Sequence, residues 1–319
     1  GGSAPDIYWM NAVNFNKYAD NGMLVSMKDY IKDKNVDMSQ YLESISSLYN
    51  YKGEQYGMPT FWDNNILMIN TKNIEKSKVC VILPIINYSN YMDDAINSIL
   101  NQTYDNIEIV VIIEKTKDQK KIKNHIVKKY KNKNIVLLLN KINLGLARSL
   151  NKGLNYSNGE FVARMDIDDI SASDRIERQV NYLKKHKDVG ILGSNAEYFG
   201  KITGPWFRDD FNCEKIKVDL LIGNPICHPT IIIRKSIIDK YRLKYNKNYI
   251  SEDYELWCTA LTKGIKIELM KDILLYYRKS DENITSNKKY TKKREKSVIR
   301  SMKKYYKKTL KMSFSTDEI

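Results

Sequence analysis

From residue 79 onward, short apolar runs alternate with amphipathic stretches in a regular rhythm. Val79–Pro84 reads as a strand, followed by a helical pattern over Tyr91–Gln102. Ile107–Ile113 and Asp118–Lys131 repeat that order, as do Ile135–Leu139 with Leu144–Tyr156 and Phe161–Met165 with Ser173–His186. Unbroken apolar strands suit a sheet buried on both faces, and the intervening helices supply the cover. The pattern predicts an α/β fold with a mostly parallel, Rossmann-like sheet. Residues 189–285 are more mixed. Strand-like stretches at Ile191–Ser194, Thr230–Arg234, Lys266–Leu269 and Ile273–Arg278 surround a helix signal over Ser251–Leu261. This layout suggests a nucleotide-binding half followed by an acceptor half.

Open parallel sheets bind ligands outside the carboxyl ends of their strands. Asn87 follows the first strand, Glu114 the second, and Asp166 and Asp168 the fourth. Read as a strand end, Asp166 and Asp168 share a face, because alternate strand residues point the same way. Two hard carboxylates there suit Mg2+ or Mn2+ together with diphosphate oxygens. An acidic cluster favoured by a helix dipole is the alternative. Asn143-Leu144-Gly145 opens a helix whose N–H groups can face phosphate, with Arg148 one turn in, or it is a simple cap. Ser251-Glu252-Asp253 opens another helix, either as a cap with dipole partners or as the source of a general base. The loop Gly223–Thr230 packs two prolines, Cys227 and His228 ahead of a strand, a composition suited to lining a site.

Length and charge narrow the classes. The 319 residues allow one large domain or two ordinary ones at ~150 residues each. Lys and Arg number 53 against 38 Asp and Glu, for a net charge of +15. The excess is uneven: residues 1–75 carry −3, whereas residues 286–311 carry +11. That basic end has a helical composition that suits an anionic membrane surface, with nucleic acid the competing polyanion and a simply solvated lysine-rich end the plain alternative; nucleic acid is not an expected partner of the whole chain. The longest apolar runs fall far short of the ~20 residues that span a bilayer. The opening Gly1-Gly2-Ser3 shows no basic-then-apolar leader, so no signal peptide is expected. Cys80, Cys213, Cys227 and Cys258 have no paired spacing and read as reduced thiols, and three histidines are too dispersed for zinc.

From about Ser77 to about Thr285 the chain resembles bacterial family 2 glycosyltransferases of the GT-A fold. The residues that carry the resemblance are Val79–Pro84 with Asn87, Asn101-Gln102-Thr103-Tyr104, Ile107-Glu108-Ile109, Asn143-Leu144-Gly145, Asn158-Gly159-Glu160-Phe161 leading into Asp166-Ile167-Asp168-Asp169, Asn224–Thr230, and Glu252–Trp257. The resemblance implies a nucleotide-sugar donor, UDP-linked, and a divalent metal on Asp166 and Asp168. It also implies inversion at the sugar carbon with Asp253 as base. Donor contacts would come from Pro84, Asn87, Glu114, Asn143, Gly145, Arg148 and Asp166, and the acceptor side from Glu252, His228 and Trp257. The acceptor would be a cell-surface polysaccharide or lipid-linked saccharide, met in the cytoplasm or at the inner face of the plasma membrane. The chain departs from the family at Ile86, where Tyr is common, at Ile113-Glu114, where two Asp are common, and at Ser280, where many relatives carry His.

The first 72 residues resemble something else. Ala4–Trp9, Asn21–Leu24 and Tyr56–Pro59 are similar to an internal stretch of an extracellular sugar-binding protein of an ABC importer. The expected organisation is thus a fused fragment over 1–76, with the join near Asn73–Lys78, then a transferase domain over 77–285 and a basic helical tail over 286–319. The competing reading is a carbohydrate-binding module without catalysis.

Overall fold

The computed structural model describes residues 7–34, 36–38, 47–57, 65–69, 76–206, 212–280 and 291–311. Ala4–Asp6, Met58-Pro59, residues 73–75 of the expected join and the 285/286 boundary lie outside them. The chain divides into two compact units, Gly1–Lys76 and Ser77–Ile319.

In the first unit, β1 (Ile7–Asn11) leads into α1 (Ala12–Asp20) and α2 (Lys28–Asp33). β2 (Asn50–Tyr51) and β3 (Glu54–Gln55) form a tight hairpin, and β4 (Asn65–Ile69) returns antiparallel to β1. Phe15, Leu24 and Tyr49 make its small core.

The second unit is built on nine strands. They are β5 (Val79–Ile85), β6 (Ile107–Ile113), β7 (Ile135–Leu139), β8 (Phe161–Arg164), β9 (Ile170–Ser171), β10 (Val189–Gly200), β11 (Gly204–Trp206), β12 (Ile232–Arg234) and β13 (Lys266–Lys279). Their order is β7-β6-β5-β8-β12-β10-β13-β9, with β11 on the edge of β10. β5 to β8, β10 and β13 share one direction, and the short β9, β11 and β12 run against it. The mostly parallel expectation therefore holds. The strand-like stretches at Lys266–Leu269 and Ile273–Arg278 are one strand, carried past its irregularities by register shifts opposite Ser194 and Asn195. Such bulges bend a strand without ending it.

The helices are α3 (Met92–Leu100), α4 (Gln119–Lys129), α5 (Leu146–Tyr156), α6 (Arg175–Lys185), α7 (Cys213–Asp219), α8 (Lys235–Tyr241), α9 (Glu252–Thr262) and α10 (Thr291–Thr309). They cover both faces of the sheet, and β5 shows why its run is unbroken. Val79, Val81, Leu83 and Ile85 enter one core with Ile96, Ile122 and Val180. Cys80 and Ile82 enter the other with Leu150, Leu154 and Trp257. Alternation therefore feeds two cores from one strand. Gly153 lets α5 press onto the sheet, since a Cβ there would meet Ile82 Cγ2 at 2.8 Å.

The basic end is a wall of this unit. α10 buries Ser297, Ser301, Met302 and Tyr305 against α9, and Ser297 Oγ accepts the N–H groups of Ile250 and Ser251. Its lysines occupy the remaining, solvated faces. The amphipathic pattern read as a basic tail is thus a docked helix, with its apolar stripe spent on the fold.

Candidate active site

Asp166, Asp168 and Asp169 follow β8 at the carboxyl edge of the sheet. The last ladder bond runs from Met165 N–H to Ile82 O at 3.1 Å, and the chain then turns out of the sheet and returns as β9. Pro84 permits this exit. Its missing N–H lies on the β8 side, just beyond the last paired residues Ile82 and Arg164, so no bond is lost. The aspartates thus lie in a turn rather than on a strand, and the turn, not strand alternation, gathers them. Carboxylate oxygens of all three lie within 4.8 Å of one another.

Buried groups hold the turn. Arg164, at the end of β8, pairs with Asp166 through both guanidinium ends, Nη2–Oδ1 at 2.5 Å and Nη1–Oδ2 at 2.6 Å. Arg278 on β13 donates Nε–H to the carbonyl of Asp168 at 2.8 Å, and its backbone N–H goes to Asp169 Oδ1 at 2.9 Å. The rings of Tyr91 and Phe199 pack against its guanidinium. Arg175, fully buried on α6, donates to the carbonyls of Arg164 and Ile231 and ties β8 to β12. Gln102 caps the start of α6 by accepting from Ile176 N–H and donating to Ala172 O. The Asn101–Tyr104 motif is therefore a brace for the return of the acidic turn.

Burial and mutual repulsion set the electrostatics. Burial first, and then the charge of Asp166, raise the carboxyls of Asp168 and Asp169. Asp169 Oδ2 is buried without a hydrogen-bond partner. Three converging hard oxygen donors, one of them unsatisfied, fit a divalent cation such as Mg2+ or Mn2+.

The second group of acids starts α9. Asp253 Oδ2 accepts from Asn224 Nδ2 at 2.7 Å, which joins the Gly223–Thr230 loop to this helix. Burial raises the carboxyls of Glu252 and Asp253, and the Asp253 charge adds to the rise at Glu252, while hydrogen bonds from Tyr254 N–H and Asn224 hold Asp253 back. Arg164 bears electrostatically on Asp166, Asp168 and Asp169 and on Glu252 and Asp253 alike. Both acidic groups thus feel the charge of one buried guanidinium.

Several residues expected at the site are placed otherwise. Glu114 is 1% exposed, and its carboxylate is spent on Leu144 N–H and Ser149 Oγ. It shapes the Asn143–Gly145 loop from beneath instead of facing a ligand. Pro84 is buried in β5. His228 and Trp257 belong to the core: His228 Nε2 pairs with Tyr245 OH at 2.8 Å, its ring meets Trp257 edge-on, and Trp257 is fully buried. Burial lowers the His228 imidazole and keeps it neutral. Arg148 is exposed because Ala147, Ser149 and Leu150 take the inner face of α5, and it lines a cavity whose other walls are the segment 242–248, α9 and α10. Asn87 and Asn143 remain exposed at the sheet edge. Asn143 Oδ1 accepts Gly145 N–H, and Gly145 has a φ of +77° that favours glycine. Glu252 is buried beside the better-placed Asp253.

Arg164 and Arg278 are site residues that sequence reasoning missed, and Asp169 and Asn224 were read only as parts of their motifs, with no role of their own. Arg164 had a signal: a charge inside the apolar run Phe161–Met165 needs a partner. Asn224 lay in the Gly223–Thr230 loop expected to line a site, but its partner is 29 residues away, and nothing local marks Arg278, whose partner is 109 residues away.

Comparison with known proteins fits this geometry. The profile of "Glycosyl transferase family 2" matches residues 80–242. That of "Bacterial extracellular solute-binding protein" matches residues 1–141, and the overlap forms β5 to β7 with α3 and α4. An uncharacterized glycosyltransferase of Haemophilus influenzae is 35% identical over 202 residues, covering 58% of this chain and 61% of its own. The Escherichia coli UDP-Glc:alpha-D-GlcNAc-diphosphoundecaprenol beta-1,3-glucosyltransferase WfgD is 28% identical, covering 69% of this chain and 85% of its own. Among solved structures, S. aureus TarS 1-349 in complex with UDP-GlcNAc superposes with a TM-score of 0.61 at 21% identity, covering 72% of this chain and 66% of its own. The mannosyltransferase PcManGT of Pyrobaculum calidifontis, in complex with GDP-Man and Mn2+, gives 0.56 at 15% identity, covering 76% and 66%. These neighbours show the GT-A fold. The chain spans less than two thirds of the length of the Haemophilus relative and of TarS.

Proposed function

From the premise that the chain belongs to glycosyl transferase family 2 and is a glycosyltransferase, we propose that it transfers a sugar, with inversion, from a nucleotide-sugar donor to a saccharide acceptor. The observation that carries this reading is the turn of three converging aspartates, which shares the charge of buried Arg164 with a second acidic group at the start of α9. A UDP-linked donor is favoured by the likeness to TarS, whose structure holds UDP-GlcNAc. A lipid-linked or polysaccharide acceptor is favoured by relatives named for O-antigen and diphosphoundecaprenol chemistry.

Asp166 and Asp168 are the residues that would hold a divalent cation, with Asp169 buried behind them. When bound, Mg2+ or Mn2+ supplies positive charge to the diphosphate as it leaves. The chain's own residues do the rest. Asn87 and the Asn143–Gly145 loop, exposed at the strand ends, face the donor. Arg164 fixes Asp166 by two short bonds and keeps the site's carboxylates from repelling one another apart. Asp253, oriented by Asn224, accepts the proton of the acceptor hydroxyl as it attacks. A base raised above the ordinary aspartate range is better matched to that proton. Inverting transfer needs this one base, unlike the carboxyl pairs of glycoside hydrolysis.

The solvated basic faces of α10 offer a surface to anionic membrane, and the proposed place of action is the cytoplasmic side of the plasma membrane. No helix among the described residues is long and apolar enough to cross a membrane. The test is a panel of nucleotide sugars with Mg2+ or Mn2+ present, read as released nucleoside diphosphate. Turnover of at least one donor supports the reading, and none across the panel opposes it.

A further inference from the structure

A cavity of about 470 Å³ opens between α5, the segment 242–248 after α8, and the outer turns of α9 and α10. Its lining carries Arg148, Arg242, Lys244, Lys247, Lys263 and Lys304, against a single acid, Glu255. Glu255 is buried and already spent, accepting from Lys304 Nζ at 2.9 Å and from Thr259 Oγ1 at 3.0 Å. Lys263 Nζ donates to the Tyr241 carbonyl. Arg148, Arg242, Lys244 and Lys247 are exposed, and among the described residues none of them forms an ion pair. Four like charges around one concavity repel one another and raise the local potential, which a bound multivalent anion relieves.

The cavity is braced. Asn151 clamps Tyr245 at both backbone groups, with Nδ2 to Tyr245 O and Tyr245 N–H to Oδ1, each at 2.8 Å. The Tyr245 hydroxyl is fixed to His228 behind it. Asn246 Oδ1 accepts Asn248 N–H. The segment bearing three of the free cations is therefore tied to α5 and to the core. The lining includes none of the three aspartates of the acidic turn, while α9 supplies both Asp253 at its start and Lys263 at the cavity wall.

We propose that this cavity binds a phosphate-bearing ligand with at least two negative charges, at a second anion site separate from the donor's. On the transferase reading, on which only its role rests, the ligand is the phosphate part of the acceptor, held while its sugar reaches Asp253. The same chemistry comes from a soluble diphosphate or from a phosphomonoester lipid headgroup.

The test uses the full chain in EDTA at low salt, so that no metal-dependent donor binding contributes. Inorganic pyrophosphate is titrated by calorimetry, and sedimentation follows binding to vesicles containing phosphatidic acid. The variants are the triple change Arg242→Gln, Lys244→Gln, Lys247→Gln, the single charge reversal Lys247→Glu, and Asp168→Asn. Wild type and Asp168→Asn should bind at least one probe, and the triple variant should bind it about tenfold or more weakly. Lys247→Glu, which touches one exposed side chain, should weaken it in the same direction with unchanged melting. Pyrophosphate binding identifies a soluble diphosphate as the fit, and vesicle binding that pyrophosphate does not displace identifies a headgroup. Binding of neither probe by wild type, or equal binding by the triple variant and wild type, overturns the proposal. Because no donor is present, failure of the transferase reading leaves this result unaffected.

Discussion

Arg164 grips Asp166 with both guanidinium nitrogens, at 2.5 and 2.6 Å, from a side chain almost wholly out of water. A buried cation is costly unless paired, and here it is paired with Asp166 and lowers the carboxyls of Asp168, Asp169, Glu252 and Asp253 electrostatically. The guanidinium is the counter-charge that lets both acidic groups share one edge of the sheet.

Arg164→Met should therefore do more than loosen one aspartate. Removing one partner of a buried pair typically costs ~3–5 kcal/mol, because the carboxylates left behind lose their compensation. Urea unfolding with the metal absent measures it. Lys at this position should rescue part of the loss, since it restores charge without the two-pronged geometry. A stability change within about 0.5 kcal/mol, as at an ordinary surface position, would show that the pair carries little.

Asp168→Asn should abolish metal-dependent binding of a nucleoside diphosphate. The amide keeps the shape but lacks the charged oxygen that a hard divalent cation prefers. Calorimetry with UDP and Mn2+, with and without EDTA, makes the comparison. Unchanged metal-dependent affinity would remove Asp168 from the ligand set.

Much of this was legible along the chain because sheet-forming runs are local. Ile107–Ile113 and Ile135–Leu139 stand in the structure as the apolar pattern predicts. The acidic turn and the start of α9 were legible for the same reason, each being a contiguous run of acids. What pattern could not give is which polar residues face inward. Glu114 and His228 are polar residues at strand-end and loop positions that usually face solvent, and only the fold shows them turned into Ser149 and Tyr245. Arg278 reaches the acidic turn only because β13 runs the length of β10 to the same edge. The docked face of α10 was hidden by its lysines, which dominate its composition while Met302 and Tyr305 do the packing.

The raised carboxyls make metal binding and stability respond to pH in opposite senses. Asp168, Asp169 and Glu252 all titrate above their ordinary values in the fold. Between the unfolded and folded values the native state holds more protons, so stability without metal falls as pH rises through that window. A metal ligand must be deprotonated, so Mn2+ affinity should rise over the same window. Melting at pH 5 and pH 8, with EDTA and with Mn2+, should show the metal's stabilising shift grow toward pH 8. A shift equal at both values would contradict the shared origin.

Deleting residues 1–76 should leave turnover intact, because every residue in the proposed mechanism belongs to the unit Ser77–Ile319, which has its own two-sided core. Truncation before α10 should not be benign, since Met302 and Tyr305 leave the core with it. Activity assays on both folded deletion variants separate these outcomes. Loss of turnover in the folded first variant would give the amino-terminal unit a part in the chemistry.

The central claim is tested most directly at Asp253. A sugar hydroxyl is a poor nucleophile until its proton is taken, and a positioned base is typically worth ~10²–10⁴ in rate. Asp253→Asn is nearly isosteric and can still pair with Asn224, so it should fold and bind donor. Melting temperature, donor affinity and transfer rate are measured on one sample of each protein. The account predicts unchanged donor affinity and transfer lowered by at least about two orders of magnitude. A helix-dipole role alone would cost only ~0.3–1 kcal/mol of stability, and near-normal transfer in the Asn variant would contradict the account and pass the role to Glu252.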